Sequence, residues 1–589
     1  MSDKNTIITA SFLLIFMAVI SVLSMKDDSL TMDEMSHLPA GYSYVSQKDM
    51  RINPEHPPLI KDLAGIPLLF IKNIKFPSDI KAWKDDVNSQ WDFGSYFLYK
   101  TGNPVDKMII LSRIPMILIL IMLGIYLFIW TKELFGNSTA LTALFFFSFS
   151  PTLIAHGRLV TTDVGAAAGA FISTYYFVKF LKDPTKKNII LGGIFFGIAE
   201  LLKFSLILLI PFFAILVVVK SILKSSDIKI FLKNFYYYFI RCLLVGLIAL
   251  VLIWIVYSYH VLNYPSQKQA KDTEFILSSF GTKTLTDLNV WMADKPILRP
   301  FAQYTLGLLM VLQRASGGNT GYFLGEISAA GWKTYFPFVY LIKEPLGFHI
   351  LSLIALLFAI GVMFRKNKEG KITERMTNWL NTHFAEFSML LFIIIYWTSS
   401  LTSNLNIGVR HLLPAFPFQI LLVSAGITTL FLKGSLIRLK KTFIFAMMLW
   451  QVYAVISIYP HFISYFNEII GGPKNGYLYV VDSNLDWGQD LKRLKIWLDE
   501  NKIDKAYIDY FGGGNPQYYL KEKYAPWWGL RNPDEIPEGS YLAVSATLLQ
   551  GGRGKPAPNF DQKTGYYLWL DKYQPMTVIG NSIFVFYIN

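Results

Sequence analysis

The sequence predicts an α-helical polytopic membrane protein of about 11 transmembrane helices, followed by an α/β domain on the extracytoplasmic side. Three observations carry this reading. Of 589 residues, 53% are hydrophobic and only 16% charged, with a mean hydropathy of +0.38, whereas a soluble chain has roughly 45–50% apolar residues. Apolar runs long enough to cross a hydrocarbon core of ~30 Å recur along residues 1–460. The formal net charge of +14 gathers in short segments between those runs, the pattern of loops that face anionic headgroups. The basic balance is therefore a topology signal and implies membrane lipids, with no nucleic acid as partner. A single cysteine, Cys242, excludes an intramolecular disulfide and a thiolate metal cluster.

Taken in order, the runs are 7–24, 109–130, 138–154, 164–181, 189–201, 206–219, 238–257, 346–364, 387–401, 412–432 and 443–458. The first is longer than a signal-peptide core and no small-x-small cleavage site follows it, so it reads as a retained helix. Residues 188–220 as one helix would measure about 50 Å, too long for the bilayer, so the chain is expected to break near Glu200 and Lys203. With that break, the Lys/Arg-rich segments 182–187, 220–233, 365–375 and 433–441 share one side. The sparse connections around Arg158, Lys203 and Arg410 share the other. By the positive-inside rule the N-terminus is cytoplasmic and the C-terminus outside.

Three long segments then lie outside. Residues 1–460 are expected to form the transmembrane module with outer loops 25–108 and 258–345, and 461–589 the extracytoplasmic α/β domain. In that domain, strand-like runs at 477–481, 506–510, 541–546 and 577–587 surround a helix at 490–500.

The densest chemistry is in the first outer loop: Thr31-Met-Asp33-Glu34-Met-Ser-His37, then Asn53-Pro-Glu55-His56-Pro57-Pro58-Leu59. Acidic residues beside an apolar core carry a desolvation cost and answer to a partner or a function; a helix N-cap at Asp33 explains that position as well. Pro57-Pro58 stiffens the backbone behind Glu55 and His56, and 59–70 is an amphipathic stretch suited to the interface. Basic groups gather on the same side: Arg113 opening the second run, and Arg158, Lys203, Arg410 and His411 on short connections. A phosphate is one reason to keep cations there, because a guanidinium matches its oxygens; snorkelling to headgroups is the other. The Gly- and aromatic-rich stretch around Arg314 in the second loop is expected to cover the site. For Asp163, and for the acidic motif 482–490, helix N-caps and turns are the first reading.

These residues resemble a known family. Asp33-Glu34 after the first helix, Asn53-Pro-Glu-His-Pro-Pro-Leu59, and Arg113 are similar to the protein O-mannosyltransferase and aminoarabinose-transferase group of GT-C-fold glycosyltransferases (family 39). The similarity continues through His156-Gly-Arg-Leu-Val-Thr-Thr-Asp163, Asn406-Ile-Gly-Val-Arg-His-Leu-Leu-Pro414, Tyr465-Phe-Asn-Glu468 and Val481-Asp-Ser-Asn-Leu-Asp-Trp-Gly-Gln-Asp490, the last associated with a bacterial branch. The resemblance implies a GT-C fold in the inner membrane of a bacterium. It implies inverting transfer of a sugar, with mannose one family precedent, from a polyprenyl-phosphate donor to an acceptor protein, lipid or glycan. Asp33 would be the general base and Glu34 would orient the acceptor or Asp33. His56, which stands where the aminoarabinose branch has a lysine, would face the phosphate with Arg113, Arg158, Lys203, Arg314, Arg410 and His411. No cofactor is certain; Glu55 matches a position that holds a divalent metal in some relatives. A lipid-linked sugar flippase or transporter is the alternative, expected to bury its ionisable groups at the bilayer midplane.

Overall fold

The computed structural model describes residues 3–363 and 372–589, so part of the basic segment 365–375 lies outside the described residues. The chain opens with Asp3–Ser24 (α1). The first loop then folds into Met32–Gln47 (α2), Leu59–Gly65 (α3), Lys81–Lys84 (α4) and Gln90–Tyr99 (α5). A run of apolar helices follows: Val105–Phe135 (α6), Asn137–Ser148 (α7), Pro151–Gly157 (α8), Thr162–Lys182 (α9), Lys186–Leu202 (α10), Leu209–Leu223 (α11) and Ile228–His260 (α12). The second loop carries Ser266–Ile276 (α13), Lys283–Ala293 (α14) and Arg299–Gly317 (α15). Tyr335–Lys343 (α16), Leu346–Met363 (α17), Ile372–Thr382 (α18), Phe384–Thr402 (α19), Phe416–Ala425 (α20) and Ile437–Ile458 (α21) complete the helical part.

Among the described residues, eight helices are long and apolar enough to cross a membrane, or up to ten spans if the bent pairs α7–α8 and α16–α17 each count as one. Helix α10, of 17 residues and so about 25 Å long, accounts for the remaining apolar run of the sequence. The protein is thus a multi-pass membrane protein. The expected break is present: α10 ends at Leu202, Lys203 is extended, and a 3-10 turn over Phe204–Leu208 leads into α11. The 63° bend between α7 and α8 follows from Ser150, which caps α8 by accepting from Leu153 N, and from Pro151 at the first helical position.

Small residues let helices approach without a hydrophobic drive between them. A Cβ on Gly197 of α10 would lie 3.0 Å from Ala249 Cα of α12. In the first loop α3 crosses α2 so closely that a Cβ on Gly41 would lie 2.0 Å from Lys61 O. Lys61, fully buried, closes the turn that follows α2: its Nζ donates to Asn53 O (2.7 Å), Asn53 Oδ1 (2.8 Å) and His56 O (2.9 Å). Burial holds its ammonium well below the ordinary lysine range, so those three acceptors and the Tyr44 hydroxyl at 3.1 Å keep it in place.

The C-terminal region contains Leu491–Glu500 (α22), Pro516–Leu520 (α23) and Ala546–Arg553 (α24). Its five-stranded sheet runs Tyr524–Pro526 (β4), Ala506–Asp509 (β3), Ser540–Ser545 (β5), Ile583–Ile588 (β8), Thr577–Ile579 (β7), with β3 parallel to both neighbours and β5, β8 and β7 antiparallel. A second, small sheet joins Gly321–Phe323 (β1) and Glu326–Ser328 (β2) of the second loop to Lys555–Pro556 (β6). Of residues 477–481, expected as a strand, the first two end the 3-10 helix Pro473–Leu478 and Val480 makes a single bridge to Phe323; Pro473 and Gly476 turn the chain before pairing can extend. The expected strand at 577–587 is a hairpin turned at Gly580 and Asn581. One apolar core runs from the helices into this region, joining Phe146 and Phe171 to Trp487, Leu542 and Phe584.

Replacing Gly41 by Ala is expected to destabilise the protein by about 1–3 kcal/mol, the usual cost of overpacking. Gly246→Ala on α12, where a Cβ meets nothing within 4 Å, is expected to be neutral or stabilising. Thermal unfolding in one detergent compares the two.

Candidate functional site

The site begins at the first turn of α2. Thr31 is the N-cap, and Glu34 closes a capping box by accepting from Thr31 N and Oγ1, both at 3.0 Å. The rest of the carboxylate is also used: Oε1 accepts from Arg113 Nε (2.8 Å) and Val160 N (3.0 Å), and Oε2 from Arg113 Nη2 (2.6 Å). Both side chains are fully buried. Burial alone would raise the Glu34 carboxyl; the guanidinium beside it prevails and holds it below the ordinary value.

Asp33 therefore does not cap the helix. One residue earlier, about 100° around the helix, it faces a different space and is 25% exposed. Its Oδ2 accepts from Arg410 Nη1 at 2.9 Å. The same Nη1 donates to Asp163 Oδ2 (3.2 Å), while Lys203 Nζ donates to Asp163 Oδ1 (2.5 Å). Arg410 Nε donates to Ser483 Oγ (3.1 Å), and its guanidinium stacks 4.3 Å from the Trp487 ring centre. Two carboxylates and two cations thus alternate around Arg410, brought from α2, α9, the α10–α11 break and the turn before α20.

His37 and His56 stand edge to face beside this group, 5.4 Å between centres, with His37 Nδ1 2.9 Å from Val160 O. His56 is pushed well below its ordinary range by burial first and then by His37, Lys61, Lys203 and Arg314, so at neutral pH it offers hydrogen bonds and no charge. His411 lies within electrostatic reach of Lys203, Arg410, Asp163 and Arg314. Among the described residues, His56 Nδ1 and His411 Nε2 are buried without a protein partner.

Several residues are placed differently from the sequence expectation. Glu34 and Arg113 are both closed off from solvent and paired with each other, with Arg113 Nη1 left without a protein partner. Arg158 is fully buried and paired with Asp28 at 2.8 Å, and Asp28 also takes Arg493 of α22 at 2.7 Å. Asp163 is no N-cap; Thr161 is, and the Asp163 carboxylate serves the cations. Glu55 offers its carboxylate to Arg314. No three metal-ligating side chains converge among the described residues, so the residues present do not fit a metal ion at Glu55.

The motif 482–490 is more than a turn. Asp482 is half-buried and unpaired by any cation within 4 Å among the described residues, and burial pushes it up to about 6. Asp486 is buried and pushed up to about 8, also by burial. Asp490 precedes α22, but its carboxylate accepts from Arg493 (2.6 Å) and Ser582 Oγ (2.7 Å) and makes no side-chain cap. Sequence reasoning passed over His37, Lys61, Ser483 and Trp487, since nothing in their local pattern tells which distant group each will meet.

An apolar groove of about 700 Å³ opens between α9, α11 and α12, lined by Phe177, Phe213, Leu243, Leu247 and Leu250, with Glu200 in its wall. Glu200 accepts from Tyr304 at 2.9 Å and lies three residues before Lys203 in the chain.

Apolar helices of this arrangement, a large first loop bearing an acidic pair, and a sheet-containing C-terminal region define a polytopic membrane protein. Residues 105–254 match the family model described as dolichyl-phosphate-mannose-protein mannosyltransferase, which bears out the resemblance to GT-C glycosyltransferases of family 39. The fold is also similar to ArnT from Cupriavidus metallidurans bound to undecaprenyl phosphate, at 10% identity and TM-score 0.47, covering 99% of this chain and 98% of that one. A second similar structure is the oligosaccharyltransferase AglB from Archaeoglobus fulgidus in complex with an inhibitory peptide and a dolichol-phosphate. There the identity is 12% and the TM-score 0.44, over 91% of this chain and 69% of that one. No curated protein matches the chain by sequence.

Glu34→Gln leaves Arg113 buried without its counter-charge and is expected to destabilise the protein by roughly 3–5 kcal/mol, read by thermal unfolding at neutral pH. Asp486 binds its proton more tightly folded than unfolded, about 8 against an ordinary ~3.9. Its contribution is complete below the unfolded value and is lost as pH rises towards the folded one. Between pH 5 and 9, set by that window, the unfolding temperature of Asp486→Asn is expected to fall less than that of the wild type.

Proposed function

We propose that this protein transfers a glycosyl group from a polyprenyl-phosphate donor to an acceptor hydroxyl on the extracytoplasmic side, inverting the anomeric centre, with Asp33 as general base. The observation that carries the reading is the convergence of Lys203, Arg410 and Arg314 with the unpartnered ring nitrogens of His56 and His411, beside the partly exposed Asp33. That is a set of donors suited to phosphate oxygens next to a carboxylate that can take a proton. The match of 105–254 to a mannosyltransferase family supports sugar transfer and makes mannose the first sugar to supply.

In the step, the acceptor oxygen forms a bond to the anomeric carbon while its proton passes to an Asp33 oxygen. The bond from that carbon to the carrier phosphate breaks, and its electron pair stays on the phosphate oxygen. Arg410, fixed between Asp33 and Asp163, faces the charge that grows there, and Lys203 and Arg314 add to it. Glu34 and Arg113 act through the backbone by holding the start of α2, so that Asp33 keeps its direction. The groove beside Glu200 suits the apolar chain of the carrier, which would enter from the bilayer with its phosphate near Lys203.

The positive-inside pattern supports an outward-facing site, with residues 461–589 above it as an extracytoplasmic domain, in a bacterial inner membrane. The acceptor is a hydroxyl of a protein, lipid or glycan.

Purified protein supplied with radiolabelled polyprenyl-phosphate mannose and a pool of acceptors tests the reading. Asp33→Asn is expected to lower turnover by about 10²-fold or more while donor binding is retained, the range for loss of a general base. Turnover at the wild-type rate in that variant removes Asp33 from the role.

A further inference from the structure

The C-terminal region reaches the centre of the site through a short stretch, residues 483–487, which touches Arg410 and the backbone of Met32, the residue before Asp33. On the Arg410 side, Ser483 Oγ accepts from Arg410 Nε and donates to Ile407 O at 2.5 Å. Asn484 Oδ1 accepts from Val409 N at 2.9 Å, and the Trp487 ring lies under the guanidinium. A Cβ on Gly408 would lie 2.2 Å from Ser483 Oγ, so only glycine allows this approach. On the Asp33 side, Met32 N donates to Trp487 O at 3.0 Å, and Ser29 N to Gln489 O at 2.9 Å. Ser29 Oγ donates to Gly488 O at 2.7 Å. The residue before Asp33 is thus bonded to the residue that stacks on Arg410.

We propose that residues 483–487 are a positioning clamp, in which Ser483 and Trp487 hold Arg410 against Asp33 and so set the direction and ion pairing of the carboxylate. Arg410 has two competing carboxylate partners, Asp33 and Asp163, on one nitrogen. Without a surface beneath the guanidinium and an acceptor for Nε, the plane is free to turn towards Asp163 and Lys203. Trp487 supplies that surface by a cation–π contact, and Ser483 fixes the in-plane rotation. Ser483 and Trp487 touch no reacting atom and act through Arg410. The proposal deepens the transferase reading, on which its kinetic arm rests; its chemical arm does not depend on turnover.

The chemical arm measures modification of Asp33 by a water-soluble carbodiimide with glycine ethyl ester at mildly acidic pH, read by peptide mass spectrometry on the full-length protein in detergent. Asp504, exposed just before β3 in the C-terminal region, is the internal reference. Asp33 is expected to react slowly in the wild type. In Trp487→Leu and Ser483→Ala its rate is expected to rise about threefold or more relative to Asp504, the size of effect a lost cation–π contact gives. Trp487→Phe, which keeps an aromatic face, is expected to stay near the wild-type ratio; a purely structural role for Trp487 predicts no such rescue. Unchanged Asp33 reactivity in both Trp487→Leu and Ser483→Ala overturns the clamp. If Trp487→Leu fails to fold, Ser483→Ala decides alone, since it removes one oxygen and no packing volume of consequence. In the kinetic arm, with polyprenyl-phosphate mannose, the same variants are expected to lower kcat with the donor KM unchanged. A wild type that transfers no sugar defeats the transferase reading while the labelling still decides the clamp.

Discussion

The buried pair of Glu34 and Arg113 is the contact on which the membrane-facing half of the site depends. A carboxylate with no solvent access survives only when every oxygen is spoken for, and Glu34 has five donors around it from three separate parts of the chain. The cost of dehydrating both ions is offset by that complete set and by their mutual attraction. The consequence is geometric. The start of α2, the upper part of α6 and the turn at Val160 are locked into one arrangement, and Asp33 inherits its direction from it.

Around that fixed point the protein has built a polar interior by joining distant segments in pairs of opposite charge. Asp28 takes Arg158 and Arg493; Asp163 takes Lys203 and Arg410; Asp490 takes Arg493. The first two sets join the helical part to the loops or to the C-terminal region, and the third braces the C-terminal region at the residue that Asp28 also holds. In a low-dielectric setting such sets are unforgiving, because removing any member strands a charge. They therefore specify how the helices, the first loop and the sheet region sit together more sharply than apolar packing does.

Much of this architecture was legible in the sequence because the bilayer imposes a strong and simple requirement. Every apolar run corresponds to a helix, and the break at Lys203 followed from length alone. The Asp33-Glu34 pair stood out because acids beside an apolar helix are costly. What could not be read is who meets whom. Arg113 and Arg158 look like exposed cations in isolation, but each is buried and paired with a carboxylate far off in the chain, Glu34 and Asp28. Asp163 looks like a helix cap until Lys203 and Arg410 are brought to it. The run at 477–481 has strand-like composition, yet Pro473 and Gly476 turn the chain and leave it with a single bridge, Val480 to Phe323. Ser483 and Trp487 act through contacts with Arg410, far off in the chain, that leave no local trace.

Helix α12 has 33 residues, about 50 Å at 1.5 Å per residue, which exceeds the ~30 Å hydrocarbon core. Its far end is tied to the first loop: His260 Nε2 sits 2.8 Å from Asp62, and Tyr259 donates to Val45 O. Trp254, near the same end, donates to Ile297 O in the second loop. The excess length of α12 is thus held at its outer end by α3 and by the last turn of α2, so the helix that overruns the hydrocarbon core also anchors the first loop.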